Sequence, residues 1–254
     1  MTNQSQPAKE KSSSKFPYSV IQKYSVDIDR PGVFKPTGTT WELLNFILPE
    51  VITGTKVLDL GCGCGLLGLE LLEKFNGKLS MHFSDLSEIA TKTTEENSER
   101  TPFKGKIEVK SGSLLEPWEG RKFDFIVDDI SAVVPEIGNY FGWFSDAPNE
   151  SGDQGSDLAL EVITSAPKYF KGPDSKLAVP LISLSNIDLQ LSALDRTFTE
   201  IRYSEPRVWP VGPYTLEIEE LANKYPFVKF GKMAGMATFT TQVAVASKPR
   251  EFEF

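Results

Sequence analysis

The run Val57-Leu58-Asp59-Leu60-Gly61-Cys62-Gly63-Cys64-Gly65-Leu66-Leu67-Gly68 constrains the fold of this chain more than any other segment. It reads as a buried strand that enters a glycine-rich turn and leaves it as an apolar helix. Glycines at 61, 63 and 65 remove side chains where the backbone bends sharply and a ligand comes close. The helix that follows offers free N–H groups and the positive end of its dipole. Together these make a nucleotide-sized pocket at the carboxyl end of a first parallel strand. A dinucleotide-binding turn has the spacing G-x-G-x-x-G. Here the spacing is G-x-G-x-G, with Asp59 two residues ahead of the first glycine. A carboxylate so placed suits a cation better than a pyrophosphate, which disfavours a dinucleotide-dependent oxidoreductase.

The chain beyond this motif alternates between the two periods. Strands are predicted over 79–84, 107–110, 123–127, 177–181, 201–203 (extendable to 209) and 237–246. Helices are predicted over 66–75, from Ser87 onward, over 157–170 and over 187–198. Upstream, Tyr24, Val26 and Ile28 alternate as a short strand does, and Thr39 or Thr40 can cap a helix carrying Trp41, Leu44, Ile47 and Leu48. Repeated βα units imply an α/β protein with a doubly wound, mostly parallel, seven-stranded sheet, helices on both faces and a single domain. Residues 1–15, with five serines or threonines and three lysines, read as a disordered tail. An N-terminal extension and capping helix then occupy 16–54, the main domain 55–248 with a lid loop over 133–155, and a short tail 249–254.

The 254 residues are 40% hydrophobic and 24% charged, an ordinary globular composition. No apolar run is long enough to span a membrane and the N-terminus lacks a signal-peptide core, so the cytoplasm is the expected compartment. Cys62 and Cys64 are the two cysteines, too close in sequence to pair with each other. With His82 the single histidine, no metal site is expected. A net charge of −8 argues against a broad nucleic-acid footprint.

VLDLGCGCG resembles the first motif of class I S-adenosylmethionine-dependent methyltransferases. The resemblance implies that the turn of Gly61, Gly63 and Gly65 packs against the amino-acid part of S-adenosyl-L-methionine and that Asp59 helps to orient its amine. Asp85, twenty residues after Gly65, follows the second strand, where a carboxylate can accept two hydrogen bonds from a ribose diol; Leu86 adjoins it. The alternative for Asp85 is a helix cap in an S-D-L-S turn, and the glycine loop upstream favours the ribose role. Ser113 stands where the class often has an acid on the adenine amine, and a backbone N–H there can serve instead. Phe34, Pro36 and Thr40 match an F-x-P-x-x-x-T run that in many amino-methyltransferases closes over the methionine end of the cofactor; a proline-rich turn before a capped helix is the alternative.

The element order, with Phe123-Asp124-Phe125-Ile126-Val127-Asp128-Asp129, Gly152-Asp153-Gln154-Gly155-Ser156-Asp157-Leu158 and Ala166-Pro167-Lys168-Tyr169-Phe170, resembles the release-factor glutamine methyltransferases and their small-methyltransferase relatives over roughly 32–184. That group carries N-P-P-Y where this chain has Asp129-Ile130-Ser131-Ala132, which points away from release-factor glutamine. Asp129 and Asp128 are the catalytic candidates, one facing the pocket and one structural. A carboxylate there holds a protonated amine or accepts its proton, or helps ligate a divalent metal. Tyr140, Phe141, Trp143 and Phe144 are expected to wall off water and bind substrate, unless they form a helical turn packed on the core. Glu136, Asp146 and Glu150 in the same segment suit an amine-bearing substrate. His82 falls in the second strand and reads as structural, which tilts the reading toward nitrogen. The expected function is methyl transfer to a nitrogen of a small molecule, peptide or protein side chain. An O-methyltransferase of a specialised metabolite and a non-catalytic cofactor-binding subunit are the rivals.

Overall fold

The computed structural model describes residues 17–103, 107–144 and 147–251. The tail expected over 1–15, residues 252–254 and the acid at 146 fall outside them.

Five parallel strands form the centre of the sheet: β1 (Lys56–Leu60), β2 (Ser80–Asp85), β3 (Ile107–Ser111), β4 (Phe125–Asp128) and β5 (Lys176–Ile182), in the order β3-β2-β1-β4-β5. In β1, Val57 packs into one apolar cluster while Leu58 and Leu60 pack into another. That alternation is what a strand covered on both faces requires. The order reverses at β1, between β2 and β4, so a crevice opens beyond the carboxyl ends of these three strands.

Four more strands complete the sheet: β6 (Phe198–Tyr203), β7 (Arg207–Pro213), β8 (Gly231–Met233) and β9 (Met236–Pro249). β9 lies antiparallel to β5 and β6, giving a seven-strand path β3-β2-β1-β4-β5-β9-β6, with β7 and β8 also pairing to β9. The single strand expected over 201–209 is two strands. β9 is 14 residues long, enough to pair β6 through 244–249 and β7 through 236–241.

The helices are α1 (Ser19–Tyr24), α2 (Gly38–Ile47), α3 (Leu66–Lys74), α4 (Glu88–Glu99), α5 (Pro135–Tyr140), α6 (Asp157–Ser165), α7 (Ile187–Thr197) and α8 (Leu216–Lys224). The short strand expected from Tyr24, Val26 and Ile28 is not formed: Tyr24 ends α1, and Val26 and Ile28 lie in irregular chain beyond it. The Glu70 carboxylate accepts the N–H groups of Ser19 and Val20 at 2.6 and 3.1 Å and so caps a turn whose Val20 is fully buried. The cap of α2 is Thr37 rather than Thr39 or Thr40: its hydroxyl accepts the Thr39 N–H at 3.2 Å, and Thr40 Oγ1 accepts the Thr37 N–H at 3.4 Å. The helix expected over 157–170 ends at Ser165 and tightens into a 3₁₀ turn (Ala166–Tyr169) that contains Pro167. Part of the segment expected to be a lid is helix α5, whose buried Ile137 joins Val133, Val134, Leu184 and Leu221 in a third apolar cluster. Among the described residues, no helix is long and apolar enough to cross a membrane.

Candidate active site

The crevice at the ends of β1, β2 and β4 is a cavity of about 1030 Å³, at the upper end of the roughly 300–1,000 Å³ usual for small-molecule sites. Its floor is the glycine turn. Gly61 sits at φ +75°, and a Cβ there would lie 2.7 Å from Ile130 Cγ2 and 3.0 Å from Ile130 N. The glycine is therefore demanded by the backbone arriving from β4. The N–H groups of Gly61 and Cys62 donate to the Ser84 carbonyl at 2.8 and 3.0 Å, which locks the turn to β2.

That lock sets up the next contact. Gly63 N–H donates to Asp85 Oδ2 at 2.9 Å, and Ser87 N–H donates to Oδ1 at 2.9 Å. Each oxygen of this carboxylate is thus fixed by one backbone donor and keeps lone-pair capacity for another. Burial pushes the Asp85 pKa up, and these N–H groups oppose the shift. The cap of α4 is Ser87, which accepts the Ala90 N–H at 3.3 Å. Asp85, Leu86, Ser113, Gly61, Gly63 and Thr40 all line the cavity.

Asp59 and Gly65 do not line it. Asp59 is 1% exposed; its Oδ2 accepts the Gly68 N–H at 3.0 Å, and its Oδ1 is buried with no partner. It braces the first turn of α3 from beneath. Burial, then the nearby Asp129 charge, raises its pKa to about 8.

The two aspartates ending β4 are separated. Asp128 is fully buried and outside the cavity lining, with Oδ1 accepting the Ile130 N–H at 3.1 Å. Asp129 lines the cavity, and its Oδ2 accepts the Thr40 hydroxyl at 2.8 Å. Desolvation raises the pKa of each to about 7; Thr40 restrains the shift at Asp129. Where the related group has prolines, Ser131 Oγ donates to Asn149 Oδ1 at 2.6 Å and Ser151 Oγ donates to the Ser131 carbonyl at 2.9 Å. These bonds tie the end of β4 to the segment beyond α5.

The four aromatics divide. Trp143 and Phe144 line the cavity, and Phe144 stacks on Phe34 with centroids 4.8 Å apart. Tyr140 and Phe141 do not line it: the Tyr140 hydroxyl lies 3.2 Å from Thr215 Oγ1, and Phe141 stacks on Trp143 and packs against the third apolar cluster. The expected acid cluster is not assembled either. Glu136 is held by Lys224 and Tyr225, whereas Glu150 lines the cavity. His82 is buried among Trp118 and Phe123, with Nδ1 3.3 Å from the Val57 carbonyl. Among the described residues, no group of three His, Cys, Asp or Glu side chains is placed to hold a metal ion.

Sequence reasoning missed Trp209 and Phe239, which line the far end of the cavity. They are register partners on β7 and β9, thirty positions apart in the chain, so no local pattern could join them.

A doubly wound sheet of this order, with a glycine turn after β1 and an acid closing β2, defines a Rossmann-like methyltransferase fold. Residues 28–129 match the family model of the methyltransferase small domain. It is 31% identical over 112 residues to the ribosomal protein L11 methyltransferase of Syntrophomonas wolfei, covering 43% of this chain and 36% of that protein. The chain thus spans about a third of the length of the L11 methyltransferases it matches. It is 24% identical over 202 residues to the tRNA1(Val) (adenine(37)-N6)-methyltransferase of Porphyromonas gingivalis, covering 76% of this chain and 77% of that one. The solved structure of precorrin 8W decarboxylase from Methanobacterium thermoautotrophicum superposes with a TM-score of 0.54 at 17% identity, over 88% of this chain and 97% of that chain, and shares the fold.

Proposed function

We propose that this protein is an S-adenosylmethionine-dependent methyltransferase acting on nitrogen. The observation that carries the reading is the bond from Gly63 N–H to Asp85 Oδ2, which presents a fixed carboxylate beside a glycine turn on one cavity that continues to Asp129. The residues fit the cofactor. Asp85 offers acceptors to a ribose diol, the Gly61–Gly63 turn gives close backbone approach, and Asp129 puts negative charge near a sulfonium and an amine. When bound, S-adenosylmethionine supplies a methyl group already activated as a sulfonium.

The remaining work falls to the chain. Phe34, stacked on Phe144, covers the cavity and excludes water. Asp129, held by Thr40, orients the acceptor nitrogen and takes its proton. With a pKa near 7, it is matched to proton transfer at neutral pH. Asp128 and Asp59 support the site without touching ligand. Free, buried Cys62 and Cys64 suit a reducing compartment such as the cytoplasm.

The name of the Porphyromonas relative keeps an RNA nitrogen among the acceptor classes, alongside small molecules, peptides and protein side chains, so net charge alone does not set nucleic acid aside. Titration calorimetry tests the core of the reading: S-adenosylmethionine and S-adenosylhomocysteine bind, NAD does not, and the Asp85→Ala variant loses most of the affinity. Binding of NAD in their place would refute it.

A further inference from the structure

We infer that the far end of the cavity is an acceptor subsite for a small amine carried on a planar or apolar body. The inference rests on the methyltransferase reading and adds the substrate class.

Three observations converge. The first is the wall. Trp209 and Phe239 face each other across β7 and β9, and Trp143 lies 5.6 Å from Phe239 between ring centroids. The Trp209 Nε1–H donates to Thr241 Oγ1 at 2.7 Å, so the indole turns its apolar surface rather than its donor to a ligand. Ile182, at the end of β5, adds an aliphatic side chain.

The second is charge. Of the charged side chains on the cavity, the cations are Arg30 and Lys35. Arg30 is held by Asp27 and Glu96 at 3.0 and 2.6 Å, and Lys35 by Asp29 at 2.9 Å. Among the described residues, the acids Asp129 and Glu150 form no ion pair with a cation. A carboxylate or phosphate entering here meets like charge and no free cation, whereas an ammonium meets acids.

The third is enclosure. The strap over 29–40 and the segment after α5 meet at the Phe34–Phe144 stack, and both line the same cavity. The stack bounds one side of the cavity, whose volume of about 1030 Å³ suits an acceptor of small-molecule size.

The chemistry balances. The ammonium N–H bond breaks toward the Asp129 carboxylate, the freed nitrogen lone pair forms the N–C bond, and the pair of the broken C–S bond stays on sulfur.

The test uses the full chain saturated with S-adenosylhomocysteine and three probes: phenethylamine, 3-phenylpropionate and putrescine. Phenethylamine is expected to bind about 10-fold or more tightly than the acid, which faces like charge, and than putrescine, which lacks the ring. Phe239→Ala is expected to weaken phenethylamine about 10-fold with S-adenosylhomocysteine affinity unchanged, and Phe239→Leu to recover part of the loss. With tritiated methyl donor, label should enter the small-molecule fraction of a cell extract. S-adenosylhomocysteine bound normally but phenethylamine no better than the other probes overturns the subsite alone, as does label entering protein or tRNA. Failure of S-adenosylhomocysteine itself to bind overturns the methyltransferase reading and the subsite with it.

Discussion

Replacing Gly61 by alanine strikes a point where the glycine turn and the end of β4 touch. Gly61 sits at φ +75°, a left-handed conformation that costs an alanine about 1–2 kcal/mol. The new methyl would also lie 2.7 Å from Ile130 Cγ2, 3.0 Å from Ile130 N and 3.1 Å from the carbonyl carbon of Asp129. The side-chain methyl can yield; the two backbone atoms cannot yield without moving Asp129. Overpacking of this kind adds about 1–3 kcal/mol, so the total is about 2–5 kcal/mol. At about 2–4 °C per kcal/mol for a domain of this size, the melting temperature should fall by on the order of 10 °C. Urea unfolding of Gly61→Ala, Ile130→Ala and the double variant separates the two contributions. The double variant should be less destabilised than the sum of the singles, by about 1 kcal/mol, because Ile130→Ala removes the Cγ2 collision and leaves the φ cost. Catalysis should fall further than stability predicts, since the displaced backbone carries Asp129. A Gly61→Ala protein within about 0.5 kcal/mol of the parent, or strict additivity in the cycle, would refute the claim that β4 is what demands a glycine here.

Asp85→Ala removes the acceptor of both the Gly63 and Ser87 N–H groups; at about 1.5–3 kcal/mol for hydrogen bonds to a charged group, S-adenosylmethionine affinity should drop about 10- to 100-fold by calorimetry. Asp128 holds its proton more tightly folded than unfolded, with a pKa of about 7, so its contribution to stability is complete below the ordinary carboxylate value and is lost as pH rises to about 7. Asp128→Asn copies the protonated form, and its stability relative to the parent should therefore rise between about pH 4 and about pH 7, by about 1 kcal/mol per pH unit, and level off above; a pH-independent difference in urea midpoints would contradict this. Phe34→Ala removes the stack on Phe144, worth about 0.5–1.5 kcal/mol, and should speed S-adenosylhomocysteine release about 2- to 10-fold in stopped-flow measurements.

The parts of the site that sequence revealed are those built from near neighbours. The path from β1 through the glycine turn into α3 is a single local run, and Asp85 closes the strand beside it. What stayed hidden depends on pairing or on side-chain direction. Asp59 is two residues from the turn, yet it reaches down to the Gly68 N–H instead of into the cavity. Glu136 reads as an acid of the lid until Lys224 and Tyr225 arrive from 88 and 89 positions away. Tyr140 and Phe141 fall on α5 and its end, and that helix packs Ile137 inward, which carries their rings away from the cavity. Trp209 gains its role only when β9 brings Phe239 beside it. Even the cap of α2 shifts meaning: Thr40, a candidate cap by sequence, is freed by Thr37 for that job and points its proton at Asp129.

That last bond bears on how the end of β4 could serve the proposed nitrogen acceptor without the prolines of the group it resembles. Thr40 Oγ1 accepts the Thr37 N–H, so its own proton is left for Asp129, and the direction of donation is set by the cap of a helix. Ser131, Asn149 and Ser151 meanwhile supply the rigidity that prolines would otherwise give. Desolvating a carboxylate with one hydroxyl partner is unfavourable, and unlike buried Asp59 and Asp128 this one opens onto the cavity. Asp129 keeps its carboxylate, keeps a face on the cavity, and has its proton affinity raised to the neutral range. The unfavourable burial is relieved when a cation enters or a proton is taken up. Both events suit the proposed transfer of a methyl group onto an amine, whereas a scaffold that only binds the donor needs the first alone.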